Sequence, residues 1–207
     1  MLIPFQFLID KIGIKVRGIL HIGAHECEEL GDYIRHGVPM ENIYWVEAMA
    51  NKVDLMKRRI PSLKIFQAVI SDLDNESISF HITNNGQSSS ILEFGTHSTN
   101  HPSVVVTETI DVKTTRMDTL INRESIDMTT INFINLDIQG AELKALQSME
   151  SYLDKIDYIY TEVNSEEVYK GCCKVDEIDT LLNKYGFKRV LTKMTGAGWG
   201  DAFYMRI

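Results

Sequence analysis

The sequence predicts an α/β fold in which a mostly parallel, twisted central sheet carries helices on both faces. Three observations predict it. Short apolar runs end abruptly on a glycine or an acid, as in Gly18–Gly23, Asn42–Glu47, Ile131–Asp137 and Ile156–Glu162. Segments of helical period separate them, and Pro or Gly punctuates the joins. The first unit reads strand, turn, helix: Gly18–Gly23, then Glu26–His36 with Leu30, Tyr33 and Ile34 as its apolar positions. The second repeats it, Asn42–Glu47 leading to Asn51–Ile60, where Val53, Leu55 and Met56 recur at near-helical spacing until Pro61 stops the helix. Leu63–Ile70 is a third strand, and Ser77–Ile82 alternates polar with apolar as a half-exposed strand does.

Residues 83–101 are polar, aperiodic and rich in Asn, Ser and Thr, yet lie inside the chain. Loops of that length are more often functional than decorative. Val104–Val112 resumes strand character, Met117–Arg123 is helical, and Ile131–Asp137 runs through Gly140 into the helix Ala141–Met149. Ile156–Glu162 is the matching strand. Val175–Tyr185 is amphipathic, with Ile178, Leu181 and Leu182 on one face and Gly186 as its cap, and the strands Phe187–Thr192 and Ala202–Ile207 follow. Residues 1–207 are read as one domain, with 83–101 as an acceptor-binding insertion.

At 207 residues the chain can bury a core without disulfides or structural metal. Its 21 Lys and Arg against 29 Asp and Glu give a net charge of −8, which opposes attraction to a phosphate backbone, so a nucleic-acid partner is not expected. No Asp-Pro-Pro-Tyr-type motif or basic aromatic stripe argues otherwise. Three cysteines, Cys27 and the adjacent Cys172 and Cys173, fit neither a disulfide framework nor a zinc ribbon. They are read as packing residues in a reducing compartment, and Met1–Val16, interrupted by Asp10 and Lys11, as too short to span a membrane. A cytoplasmic location is the expectation. His21 and His25, on a strand and its turn, lack the helical spacing of a zinc pair, and no metal is expected.

In such a sheet the ligand crevice lies at the carboxyl ends of the strands. The polar residues that end the apolar runs converge there: His21–His25, Glu47, Ser71 and Asp72, Asp137–Gly140, and Glu162–Asn164. The first turn has one close-approach glycine, Gly23, followed by Ala24, not the three glycines of a dinucleotide fingerprint. Glu26, Glu28 and Glu29 crowd the next helix start, where a pyrophosphate would need positive potential. Glu47, 24 positions after Gly23, stands where an acid accepts from a ribose diol. A nucleoside ligand without pyrophosphate describes S-adenosylmethionine.

Seven stretches carry a resemblance to a known family: Leu20–His25, Tyr44–Ala48, Ala68–Asp72, Asn84–Ser90, Thr115–Asp118, Asn135–Glu142 and Tyr160–Asn164, in the family's order. With them the chain resembles the FkbM family of S-adenosylmethionine-dependent O-methyltransferases over most of its length. The resemblance implies a Rossmann-like class I methyltransferase fold with an antiparallel C-terminal strand. It also implies that Gly23 and Ala24 admit the methionine portion of the cofactor, Glu47 binds its ribose, and Ser71 with Asp72 lies beside its adenine. Two positions depart from the pattern: His21 replaces a frequent acid, and Gln139 stands where glutamate is common. His21 can still give one hydrogen bond to the cofactor's amino-acid end.

A hydroxyl acceptor loses a proton on attack, so an acid or imidazole within reach assists as general base. Asp137, Glu162, His25 and His81 are the candidates, His81 on its half-exposed strand being read as structural; Asp137 could instead orient the cofactor or cap the following helix, Glu162 could be a structural ion pair, and His25 a hydrogen-bonded turn residue. Gln87, Ser88, Ser89 and Ser90 offer neutral donors and acceptors of the kind a polyhydroxylated acceptor needs, unless the loop is a solvated linker. Asn164 adds an amide, Trp199 a stacking surface or a packed hairpin indole, Asp201 an acceptor for hydroxyl protons, and Tyr169 with Lys170 a reach to an acceptor phosphate. The expected function is O-methylation of a sugar, nucleotide sugar or glycoconjugate; the alternatives are an NAD-dependent oxidoreductase and a non-catalytic glycan-binding or assembly subunit. A small-molecule or glycan acceptor is the partner expected, and a homodimer the working assembly.

Overall fold

The computed structural model describes residues 1–207. In chain order the elements are α1 (Phe5–Phe7), continued by a π-turn over Leu8–Ile12, β1 (Ile19–Ile22), α2 (Leu30–Arg35), β2 (Ile43–Glu47), α3 (Ala50–Arg59), β3 (Lys64–Gln67), β4 (Val69–Ile70) and β5 (Ser77–Thr83). There follow α4 (His97–Asn100), β6 (Val106–Thr115), α5 (Met117–Arg123), β7 (Phe133–Leu136), α6 (Glu142–Gln147), α7 (Glu150–Leu153), β8 (Tyr158–Asn164), α8 (Val175–Lys184), β9 (Phe187–Met194) and β10 (Trp199–Arg206).

Seven strands form the central sheet in the order β3-β2-β1-β7-β8-β10-β9. From β3 to β8 all pairings are parallel, and β10 is antiparallel to both its neighbours. Every residue of β1, β2 and β7 is buried, as strands covered on both faces must be. Successive side chains leave the sheet on opposite faces, so Leu20 and Ile22 join one core with Ile178, Leu182 and Leu146, while Ile19, Trp45 and Phe133 join another with Tyr33 and Phe5. The order reverses between β1 and β7, and the crevice opens there.

Several elements differ from the sequence reading. Leu63–Ile70 is two strands, because the Ala68 N–H bonds the carbonyl of Glu47 and β4 then leaves the main sheet. It pairs in parallel with β6, which pairs antiparallel with β5, so the half-exposed strands belong to a second, three-stranded sheet. The helix expected from Glu26 starts only at Leu30, since His25 and Cys27 hold left-handed backbone (φ 44° and 55°) and wind the chain into turns first. The helix expected over Ala141–Met149 ends at Gln147, and Ser148 uses its hydroxyl on the carbonyl of Ala145 before a separate turn, α7, begins. No helix is long and apolar enough to cross a membrane. All three cysteines are buried and unpaired.

Candidate active site

A cavity of about 450 Å³ opens at the carboxyl ends of β1, β2, β7 and β8, within the size range of small-molecule sites. Its floor is the turn after β1, where Gly23 takes φ +91° and passes so close to β7 that a Cβ would lie 1.7 Å from the carbonyl oxygen of Asp137. Its lining includes Glu47, Met49, Ala68, Val69, Ile70 and Phe80, and also Gln87, Ser88, Ser89, His97, Tyr169 and Trp199. Asp137, Glu162 and Asp201 also line it, the last two being register partners on β8 and β10.

Glu47 ends β2 and is buried; its Oε2 accepts the N–H of His25 at 2.7 Å and its Oε1 that of Met49 at 2.8 Å. Burial raises its carboxyl above the ordinary range. His25 is held by Glu28 through Nδ1 at 2.5 Å, while its Nε2 has no partner in the protein. Burial works to raise Glu28, but the hydrogen bond to His25 and the nearby backbone amides bring it down to about 2. His21 stacks on Trp45 with centroids 4.6 Å apart, and burial pulls its imidazole down to about 3, so the ring is neutral.

Gln139 organises the acids. Its backbone is left-handed (φ 56°), and its Nε2 donates to Asp137 Oδ1 at 2.5 Å and to Glu162 Oε2 at 2.9 Å. Its Oε1 accepts the hydroxyl of Tyr169 at 2.5 Å. Two carboxyls are thus bridged by one neutral amide whose orientation the tyrosine fixes. Burial and then the charge of Asp137 push Glu162 well above the carboxylate range. Burial also lifts Asp137 to about 6, although its side chain faces the open cavity, where water moderates the effect. Neighbouring acids with separated affinities are the usual arrangement for a base beside a donor.

Glu142 lies just behind. Its Oε1 accepts the N–H of Ile138 and of Gly140, both at 3.0 Å, and its Oε2 is buried without a partner. Burial outweighs those hydrogen bonds and pushes the group up to about 7. Between pH 4.5 and 7 the folded chain therefore holds a proton that the unfolded chain has lost, and stability falls as pH rises through that window, by at most roughly 3 kcal/mol for this group. Glu142→Gln will flatten the decline in the urea midpoint between pH 5 and 8; an unchanged slope would assign the decline to other acids.

Most predicted residues line the cavity: His21, Gly23, Ala24, His25, Glu47, Asp137, Glu162, Gln87, Ser88, Ser89, Tyr169, Trp199 and Asp201. Five do not. Asp72 turns to Lys144 at 2.8 Å and takes the hydroxyl of Ser71 with it, and neither lines the cavity. Ser90 spends its hydroxyl on the carbonyl of Gln139 at 2.8 Å, anchoring the loop. Asn164 is fully buried beneath the hairpin, and Lys170 points outward to Glu93 at 2.7 Å. Asp201 is partly committed already, accepting the hydroxyl of Tyr160 and the N–H of Leu2.

The residues that sequence reasoning missed are Met49, Phe80, His97 and His101 in the wall, and Gln139 as the bridge. His97 and His101 sit four apart at the two ends of α4, a spacing visible in the sequence but hidden inside a segment read as structureless. His97 is buried, stacked on Phe94 at 4.2 Å, and burial lowers its imidazole to about 4.

No Lys or Arg side chain lines the cavity, whereas Glu28, Glu29, Glu47, Asp137, Glu162 and Asp201 do. That donor set suits a cationic sulfonium nucleoside and opposes a pyrophosphate, which needs positive partners. No group of three or more His, Cys, Asp or Glu has the geometry to hold a metal ion.

A strand order reversing beside a glycine turn, an acid ending the second strand and a reversed strand near the sheet's edge define a class I methyltransferase. The family profile described as Methyltransferase FkbM domain matches residues 21–189, and the chain belongs to the FkbM methyltransferase family, which uses S-adenosylmethionine as methyl donor. Over 130 residues the chain is 29% identical to the 2-O-methyltransferase NoeI of Sinorhizobium fredii, covering 59% of this chain and 52% of that protein. The chain thus spans about half the length of that curated relative. The crystal structure of Methyltransferase FkbM from Methylobacillus flagellatus superposes with a TM-score of 0.56 at 14% identity, covering 98% of this chain and 48% of that one. A ribosomal protein L11 methylase from Lactobacillus delbrueckii gives 0.51 at 6% identity over 99% and 76%, a likeness of fold alone. Family membership sets aside the oxidoreductase alternative.

Proposed function

We propose that the chain methylates a hydroxyl of a sugar, nucleotide sugar or glycoconjugate. The observation that carries this reading is that one cavity is lined by Glu47 with apolar residues, by neutral hydrogen-bonding and aromatic groups, and by Asp137 and Glu162. Bound there, S-adenosylmethionine supplies a methyl group already activated on a sulfonium. The chain's own work is then alignment and proton handling. Gly23 and Ala24 leave room for the donor's methionine portion, Glu47 accepts from its ribose, and Ala68, Val69 and Ile70 face its base in place of the withdrawn Ser71 and Asp72. Asp137 accepts the hydroxyl proton of the acceptor, while Gln139, donating to both Asp137 and Glu162, holds it in position. Gln87, Ser88, Ser89 and Trp199 provide the polar contacts and flat surface a sugar ring uses. The relative's name, 2-O-methyltransferase, agrees with a hydroxyl acceptor.

Isothermal titration with S-adenosylhomocysteine and NAD tests the donor side. Binding of the adenosyl ligand alone is expected, and Glu47→Ala should weaken it by about 1.5–3 kcal/mol, the range for a hydrogen bond to a charged group. Undiminished affinity in the variant would remove Glu47 from the ribose. Binding without methyl transfer to any of a panel of sugars would favour the assembly-subunit reading.

A further inference from the structure

We infer that the acceptor taken by this cavity is a polyhydroxylated compound carrying no negative charge. The inference rests on the reading of the cavity as a shared donor and acceptor site, and it separates the free or neutral sugar from the phosphorylated and nucleotide-linked ones.

The whole lining holds six carboxyl side chains and no Lys or Arg. The cations on the flanking elements are engaged elsewhere: Lys52 and Arg59 with Glu26 at 2.6 and 2.7 Å, Lys144 with Asp72 at 2.8 Å, and Lys170 with Glu93 at 2.7 Å. Lys193 donates to the carbonyl of Leu2, and the amino group of Met1, which does line the cavity, lies 4.0 Å from Glu29 in the same lining. A phosphate, or a carboxylate without an ammonium of its own as the donor's amino-acid end has, would find no guanidinium or ammonium side chain to neutralise it, and would sit among acids that burial already disfavours as anions.

The acceptor side contains instead the groups that neutral hydroxyls need. Asn85, Gln87, Ser88 and Ser89 are donors and acceptors without charge. His97, 5% exposed, lines the same wall, and its Nδ1 has no partner in the protein. A buried ring nitrogen left unpaired calls for a ligand hydroxyl, since unpaired buried polar atoms are costly. Tyr169 and Trp199 complete the wall with apolar faces. An ammonium-bearing sugar would add attraction to the acids.

The test uses the full chain saturated with S-adenosylhomocysteine and reads binding by saturation-transfer NMR and titration. The probes are matched pairs: glucose with glucose 6-phosphate, glucosamine with glucosamine 6-phosphate, and N-acetylglucosamine with its uridine diphosphate conjugate. The expected result is that the member without phosphate binds at least tenfold more tightly, and that Gln87→Lys narrows the gap by about tenfold. Equal or tighter binding of a phosphorylated member in any pair, binding by no member of any pair, or an unchanged gap in the variant would overturn the inference. Failure of the nucleoside to bind, read before any sugar is added, would count against the donor reading instead, and the pairs are then judged by the same criteria on the free chain.

Discussion

Asp137→Asn is expected to lower methyl transfer by roughly 10²–10⁴-fold, the usual contribution of a positioned general base, while changing affinity for S-adenosylhomocysteine by no more than a few-fold. The reason is the separation of neighbouring acids. Burial and the nearby charge push Glu162 well above the carboxylate range, whereas Asp137, lifted only to about 6, is mostly ionised at neutral pH and free to take a proton. The same picture requires kcat/KM to fall as pH drops through about 6, because protonation removes the base. The variant should lose that acid limb. A parallel loss of turnover and nucleoside affinity would show instead that Asp137 orients the donor.

Gly23→Ala should abolish nucleoside binding and destabilise the fold by more than about 4 kcal/mol, the range reserved for severe steric damage. Two causes combine at this position: a left-handed backbone and a Cβ that would lie 1.7 Å from the carbonyl of Asp137. Gly37 separates them, being left-handed too (φ +85°) with nothing within 4 Å of its would-be Cβ. Gly37→Ala should cost only about 1–2 kcal/mol, the strain of the left-handed conformation, and leave nucleoside affinity intact. Urea unfolding and titration of both variants check this; similar losses at the two glycines would mean that the close contact of β1 with β7 relaxes easily.

The central sheet was legible because its strands are short and buried on both faces, so apolar runs ending at Gly23, Glu47 and Asp137 mark both the strands and the crevice. The family and its donor were legible from motifs at those same ends. What stayed hidden depends on partners distant in sequence. Nothing near Val69 announces that β4 will leave the main sheet; the bond from Ala68 to Glu47 and the pairing with Thr114 and Thr115 decide it. Asp72 reads as a crevice residue until Lys144, from α6, draws it aside. Gln139 looked like a departure from a pattern, and only its contacts with Asp137, Glu162 and Tyr169 reveal an amide joining three elements.

The short strand β4 belongs to two structures at once. Val69 and Ile70 line the donor side of the cavity and also open the three-stranded sheet from which the loop 83–101 is hung, through the bridge of His81 to Ser90. Ser90 in turn ties that loop to the backbone of Gln139. Occupancy of one half therefore alters the rigidity of the other, and linkage makes the effect reciprocal: whatever the nucleoside does for acceptor affinity, the acceptor does for the nucleoside. Amide exchange in residues 83–101 should slow when S-adenosylhomocysteine binds, and exchange indifferent to it would mean that the two halves fill independently.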